Sequence, residues 1–427
     1  MSDSEHAFEF EFSPGKIRCE RGGVAGVGDE LARRGLERAL VVCGSTVGST
    51  PEVVDPVREG VGDRLVGVFP ETTPEKYLGT AVEGAERADE ENADALVALG
   101  GGSSLDTAKV VSALRSHDGP PEAVASDAIE NGSLSVAEDG EPTPIVAVPT
   151  TLAGADLSTV AGVTLAMGPE DDRDGEAPGG GIADPRLMPT ALCYDADLFA
   201  TTPESVLTAS AMNGFDKGLE ALYTRNATPI TDGTATRGLR LLRHSLPALA
   251  DGRGRGADAD GDGAGAANPD DPLAQAVTGT ILVQYGVSTP GQYKLSIVHA
   301  FGHGLTEHAD VHQGRAHAAV VPHVLRYLFE GVDARRELLA EALAVPAGGS
   351  EGRGASDEEL ADGVVDAVVE VRDGLGLPSR LRDLDGIERD DLPEVAETTA
   401  ADGLMDTVPD GLDPTTDDLL AVLEAAW

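Results

Sequence analysis

Through roughly the first two hundred positions, short apolar runs alternate with longer amphipathic stretches. ALVVCGS (39–45), LVGVFP (65–70), ADALVALGGGS (93–103) and TPIVAVPT (143–150) read as buried strands. Between them, 73–91 reads as a helix opened by Thr73 and Pro74, and SLDTAKVVSAL (104–114) as another. A glycine-rich turn at 22–28 leads into a short helix over 29–36, and Phe8, Phe10 and Phe12 alternating with Glu9 and Glu11 predict a half-buried strand near the N-terminus. Near-continuous apolar strands separated by helices predict a parallel sheet covered on both faces.

From about residue 202 the period changes. SVLTASAMNGFDKGLEALYT, ATRGLRLLRHSLPALA and LAQAVTGTILVQYGV repeat near 3.6 residues with little strand signal. The expectation is two domains, an α/β domain over 1–200 and an all-α domain over 201–427, with TTPES at 201–205 at the junction. Stretches 169–181 and 251–271 are too polar and glycine-rich to carry a core and read as loops. DADGDG within the second lacks the closing Glu of a twelve-residue calcium loop and is read as solvated.

Charge then narrows the function classes. Against 75 Asp and Glu stand 31 Lys and Arg, giving a net charge of -44, which repels a phosphate backbone and an anionic lipid surface alike. No nucleic-acid or membrane partner is expected, and no apolar segment approaches the roughly 20 residues of a membrane span. Only five of the basic residues are lysine, a composition resembling a salt-in halophile surface. Cys19, Cys43 and Cys193 are odd in number and widely separated, which argues against a disulfide framework or a thiolate metal site. The expectation is a cytoplasmic protein.

Two places stand out as candidate chemistry. Gly100, Gly101 and Gly102, followed by Ser103 and Ser104, lie where a buried strand turns into a helix, so backbone N–H groups can close on an anion at the positive helix end. Tight strand-to-helix turns also need glycine, and Asp106 and Lys109 in the helix read equally as a helix-end charge and a surface cation. The second place is a histidine cluster: six of nine, at 299, 303, 308, 312, 317 and 323, fall within 25 residues. On a helix, His299 and His303 share a face at i and i+4, a spacing suited to a metal, a proton relay or an anionic substrate.

GGGSSLDTAKVV (100–111), VPTTLAGADLST (148–159), ADPRLMP (183–189) and VHAFGHGL (298–305) resemble, in the same order, the landmarks of the iron-containing alcohol dehydrogenase family. The resemblance implies a dehydroquinate-synthase-like fold, an N-terminal NAD(P)-binding domain, a C-terminal helical domain and a substrate cleft between them. It places Gly101, Gly102, Ser103 and Asp106 at the pyrophosphate, and Thr150, Thr151 and Leu152 near the nicotinamide. Where many NAD-preferring members carry an Asp after the first strand, this chain has Gly44, leaving NADP open. A homodimer is the expected assembly.

The metal pattern of that family, one Asp and three His, is altered here. AMNGFDKGLEA (211–221) puts Asn213 at the Asp position and Lys217 at the first His position; His299 is retained, and Gln313 stands at the last. An ammonium at a ligand position competes with a divalent ion, so a metal is not expected; a rearranged set would have to draw on His299, His303 and Asn213. MNGFDKGLEALYTRNATP (212–229), LAGADLST (152–159) and His317 resemble the maleylacetate reductase branch, although that branch usually has His where Lys217 stands. The expectation is a metal-independent NAD(P)-dependent reductase of a small anionic carbonyl or enoyl compound. Lys217 supplies the positive charge, His303 and His317 are proton donors or carboxylate contacts, His299 orients one of them, Asn213 joins them in the catalytic set, and the His cluster with Lys217, Arg315 and Lys294 provides a local basic pocket. The alternatives are a metal-dependent alcohol dehydrogenase with rearranged ligands, an enzyme doing dehydroquinate-synthase-like chemistry, and a non-catalytic nucleotide-binding homologue.

Overall fold

Six strands, four of them the apolar runs, pair side by side in a single parallel sheet. In the computed structural model, which describes residues 11–172, 177–250, 271–346 and 354–427, the strands are β1 (Lys16–Cys19), β2 (Ala39–Gly44), β3 (Leu65–Thr72), β4 (Ala95–Gly100), β5 (Ile145–Pro149), β6 (Val160–Thr164), β7 (Gly179–Ala183) and β8 (Ala191–Tyr194). The parallel sheet runs β1-β8-β5-β4-β2-β3, and β6 and β7 form a separate antiparallel pair. All residues of β4 and β5 are buried, as a central strand covered on both faces requires. Val41, Val97, Val146 and Leu99 lie in a core shared with Val53, Val54 and Val57 of the helix Pro51–Val61.

From β2 the chain passes outward to β3, then returns to place β4 on the other side of β2. The carboxyl ends of β2 and β4 therefore flank the point where the direction of winding reverses, the place where open α/β sheets bind ligands. Gly44 ends β2 and Gly100 ends β4.

The chain divides into two compact units, Ser13–Thr202 and a second comprising Pro203–Trp427 with residues up to Phe12. Helices build the second: Glu204–Tyr223, Pro229–Ser245, Pro272–Val287, Ile297–His308, Gln313–Gly331, Asp357–Gly374, Leu392–Ala401 and Thr416–Ala426 are the longer ones. Their starts are legible as local chemistry. Thr228 with Thr231, Ser356 with Glu359 and Thr415 with Asp418 form capping boxes, and Pro229 and Pro272 occupy first-turn positions where no backbone donor is lost.

Several local expectations need correction. The helix expected from 73 begins at Leu78, because Lys76 adopts a positive φ and residues 76–77 pair with Thr164 of β6. The first strand is Lys16–Cys19, with Phe12 outside it and its ring edge-on to Tyr285; Phe8 and Phe10 lie outside the described residues. Gly179, Gly180 and Gly181, expected in a loop, begin β7, whose extended form is held by β6 rather than by any side-chain pattern of its own. DADGDG also lies outside the described residues. All three cysteines are free, Cys43 and Cys193 being buried. No helix among the described residues is long and apolar enough to cross a membrane.

Candidate active site

The glycine turn adopts the geometry that an anion cradle needs. Gly100 has φ 134, a value costly for any side chain, and Gly101 is extended at the N-cap of the helix Gly102–Leu114. A Cβ on Gly101 would meet Thr151 Cγ2 at 3.1 Å, so a larger residue would fill the turn. The first-turn N–H groups, among them those of Gly102 and Ser103, lack intrahelical acceptors and add to the positive end of the helix dipole. Thr150 is fixed below by its N–H to Gly100 O at 3.0 Å and by Thr202 Oγ1 on its carbonyl at 2.7 Å; Leu152 is fully buried. The turn at Gly100–Ser103 thus has the backbone geometry that a dinucleotide pyrophosphate requires.

Asp106 has a different set of partners. Its Oδ2 accepts from Lys76 Nζ at 3.1 Å and from the Gly162 N–H at 3.2 Å, tying the β6–β7 pair to the helix. Lys109 is neither a surface cation nor exposed to a phosphate. It is 1% exposed, and its ammonium donates to the carbonyls of Ala155 and Val160 at 2.7 and 2.9 Å. Gly44 packs closely, a Cβ there reaching 3.2 Å from Thr72 O.

In the helical unit, one helix supplies most of the candidate chemistry. Asn213, Asp216, Lys217 and Glu220 recur at intervals of three and four on Glu204–Tyr223 and so share a face. Asn213 Nδ2 donates to Gln313 Oε1 at 2.9 Å, and Lys217 Nζ to Gln284 Oε1 at 3.3 Å. Glu220, completely buried, accepts the N–H groups of Val298 and His299 at 2.8 and 3.1 Å and contacts His299 Nδ1 at 2.5 Å. The carboxylate thus sits at the N-terminus of Ile297–His308, where helix dipole and orphan donors favour an anion.

His317 lies beside this pair. Its ring meets that of His299 edge to face, centroids 4.6 Å apart, and its Nδ1 is 3.2 Å from Asp216 Oδ2 without the alignment of a hydrogen bond. A Cβ on Gly302 would overlap His317 Nε2, so Gly302 provides the seat for this ring. Burial lowers His317 to about 3 and His299 to about 4, the latter despite the opposing pull of Glu220; both are neutral imidazoles near pH 7. Burial also raises Asp216 well above the usual carboxylate range. Burial works against ionised Glu220 too, but the His299 ring hydrogen-bonded to it and the nearby His317 ring prevail and lower its pKa.

Other expected groups stand elsewhere. His303 is exposed, its Nδ1 2.7 Å from Asp402 Oδ2, so His299 and His303 turn to different partners despite their helical spacing. His308 contacts Gly304 O at 3.0 Å, and His312 Nδ1 accepts from the Gly314 N–H. Lys294 is not part of a basic pocket: it is buried, donating to Thr289 O and Gln292 O at 2.7 and 3.1 Å. Sequence reasoning gave no role to Glu220 and Gln284. Spacing alone offered a signal for Glu220, three and seven positions beyond Lys217 and Asn213 on one helix face.

Residues 14–196 match the family model described as iron-containing alcohol dehydrogenase, and residues 207–427 match that of the Fe-containing alcohol dehydrogenase family, C-terminal. The chain belongs to the iron-containing alcohol dehydrogenase family. Its curated relatives are oxidoreductases. Lactaldehyde reductase of Escherichia coli (strain K12) is 27% identical over 415 residues, covering 95% of this chain and 96% of that protein. Maleylacetate reductase of Sphingobium indicum is 28% identical over 341 residues, 79% of each chain. The fold is shared with sulfoacetaldehyde reductase from Bifidobacterium kashiwanohense, solved in complex with NAD+, at TM-score 0.79 and 17% identity over 98% of this chain and 99% of that one.

The family name implies iron, and the residues present do not fit it. Two of the four ligand positions, Asn213 and Gln313, are neutral amides bonded to each other, and a third holds the Lys217 ammonium. Among the described residues, no three His, Cys, Asp or Glu side chains are grouped to hold a metal ion.

Proposed function

We propose that this chain is a nicotinamide-dependent reductase of a small anionic carbonyl or enoyl compound that works without a metal, Lys217 supplying the positive charge at the metal position. The Asn213–Gln313 amide bond carries this reading, since it joins two ligand positions with groups that bind a divalent ion poorly. Hydride transfer to a carbonyl or enoyl group leaves oxyanion or enolate character, and an ammonium in a low-dielectric site stabilises that charge. An anionic substrate also benefits from a local cation in a chain of net charge -44.

The glycine cradle at Gly100–Ser103 and the NAD+ complex of the structural relative support a nicotinamide dinucleotide as cofactor. Gly44 brings no carboxylate against a 2'-phosphate, so NADP is included in the proposal. A homodimer and a salt-adapted surface complete it.

The test is oxidation of NADH and NADPH with a panel of carbonyl and 2-enoate acids in concentrated KCl, with metal analysis of the same preparation. Turnover that survives chelation supports the reading. Stoichiometric zinc or iron, with activity abolished by its removal, would overturn it.

A further inference from the structure

Gln284 interrupts the apolar run TILVQYGV (280–287) of the helix Pro272–Val287 and is only 4% exposed. A buried amide is tolerated only when its donors and its acceptor are met. Here the partners are specific. Its Nε2 donates to Ser288 Oγ at 2.8 Å, one turn further along, and its Oε1 accepts from Lys217 Nζ of the helix Glu204–Tyr223 at 3.3 Å. An ammonium has donors and no acceptor, so the amide can present only its oxygen to Lys217. Ser288 then meets the nitrogen, which fixes the orientation of the amide.

The backbones on either side of this contact are held closely. A Cβ on Gly218, next to Lys217, would meet Val283 Cγ2, next to Gln284, at 3.0 Å and Leu239 Cδ2 at 2.7 Å. Lys217 and Gln284 thus leave their helices at a point of close approach. With the backbones fixed, the side-chain partners decide where the ammonium stands.

We propose that Gln284 is the positioning residue of Lys217: oriented by Ser288, its amide oxygen holds the ammonium where the negative charge of the reacting substrate develops. This rests on the reading of Lys217 as the positive charge at the metal position. A lysine side chain is long and rotamer-rich, and ordering it only when the substrate arrives would cost binding free energy. Anchoring one of the three ammonium donors in advance removes part of that cost. An amide does so without adding charge. A carboxylate at 284 would pair with the ammonium and compete with an anionic substrate for it.

The test is a double-mutant cycle on the full chain, read as steady-state reduction of the panel acids by NADH in concentrated KCl. Gln284→Leu alone should lower kcat/KM for the acid by about 10- to 100-fold, the usual worth of a hydrogen bond to a charged group. NADH affinity should be unchanged. In the Lys217→Met background the same change should alter kcat/KM by less than about 2-fold, because the group it positions is gone. A purely structural Gln284 would lower both backgrounds equally. Gln284→Glu, nearly isosteric, serves if the Leu variant does not fold, and it should lower kcat/KM at least as far, again only where Lys217 is present. Equal losses in the two backgrounds, or unchanged turnover in Gln284→Leu and Gln284→Glu, overturn the positioning role while leaving the reductase reading standing. Wild-type protein inactive on the whole panel, or Lys217→Met as active as wild type, removes the reading of Lys217 itself, and the role of Gln284 with it.

Discussion

Asn213 and Gln313, one hundred positions apart, are joined by a 2.9 Å amide hydrogen bond between the helices Glu204–Tyr223 and Gln313–Gly331. The bond links two ligand positions of the family pattern with side chains that satisfy one another. Restoring the pattern should therefore restore a metal. The triple variant Asn213→Asp, Lys217→His, Gln313→His, with the native His299, is expected to retain about one zinc or iron per chain after dialysis, measured by elemental analysis. The wild type should retain well under that. Equal retention by both would mean that these three positions do not decide metal binding.

The proposed function assigns Lys217 the positive charge at the metal position. Lys217→Met removes the ammonium while keeping the apolar stem. Loss of a single donor to a developing oxyanion lowers kcat by about 10²- to 10³-fold, or roughly 3–4 kcal/mol. Steady-state rates with the reducible acid should show that drop, with NADH binding by fluorescence unaltered. Turnover equal to the wild type would remove Lys217 from the catalytic group.

Gly302 seats the His317 ring, and both lie in fully packed surroundings. Gly302→Ala should destabilise the protein by about 1–3 kcal/mol, the usual range for overpacking a close-packed interior. Helix propensity pulls the other way, since Ala is favoured over Gly by about 1 kcal/mol. Chemical denaturation gives the net value, and an increase in stability would show that His317 can move aside at little cost.

Glu30 provides a pH signature away from the site. Burial alone would raise its carboxyl, but hydrogen bonds and charge from Lys16 and Arg33 hold it down to about 2. A folded value below the ordinary 4.5 means stability that is fully present above pH 4.5 and lost as the pH falls toward 2. The stability difference between wild type and Glu30→Gln should therefore be about 1–2 kcal/mol at neutral pH, after discounting for the solvent-exposed cations. It should shrink across that window in parallel denaturation curves. A difference independent of pH would assign the effect of Glu30 to packing.

Much of the fold was legible because its signals are local. β2, β3, β4 and β5 coincide closely with apolar runs, and the helix Glu204–Tyr223 with its 3.6-residue period, since side-chain spacing along one segment decides which face can be buried. β7 was not legible: GGGIA has no side-chain alternation, and its extended form comes from backbone bonds to β6. The helix start at Leu78 was hidden for a similar reason, its preceding residues being held by Thr164, nearly ninety positions away.

The candidate site divides along the same line. Sequence alone determined the two-part α/β and helical architecture, the glycine turn at the end of β4, and the altered residues at the ligand positions 213, 217 and 313. These are properties of residue type and order along the chain. Only the tertiary structure decided that Asn213 bonds Gln313, that Lys109 and Lys294 spend their charge on backbone carbonyls, and that His299 pairs with Glu220 while its helical neighbour His303 turns to Asp402. Charge and hydrogen-bonding capacity belong to a side chain, but the partner that satisfies them, and the burial that sets its protonation, depend on segments that packing alone brings together.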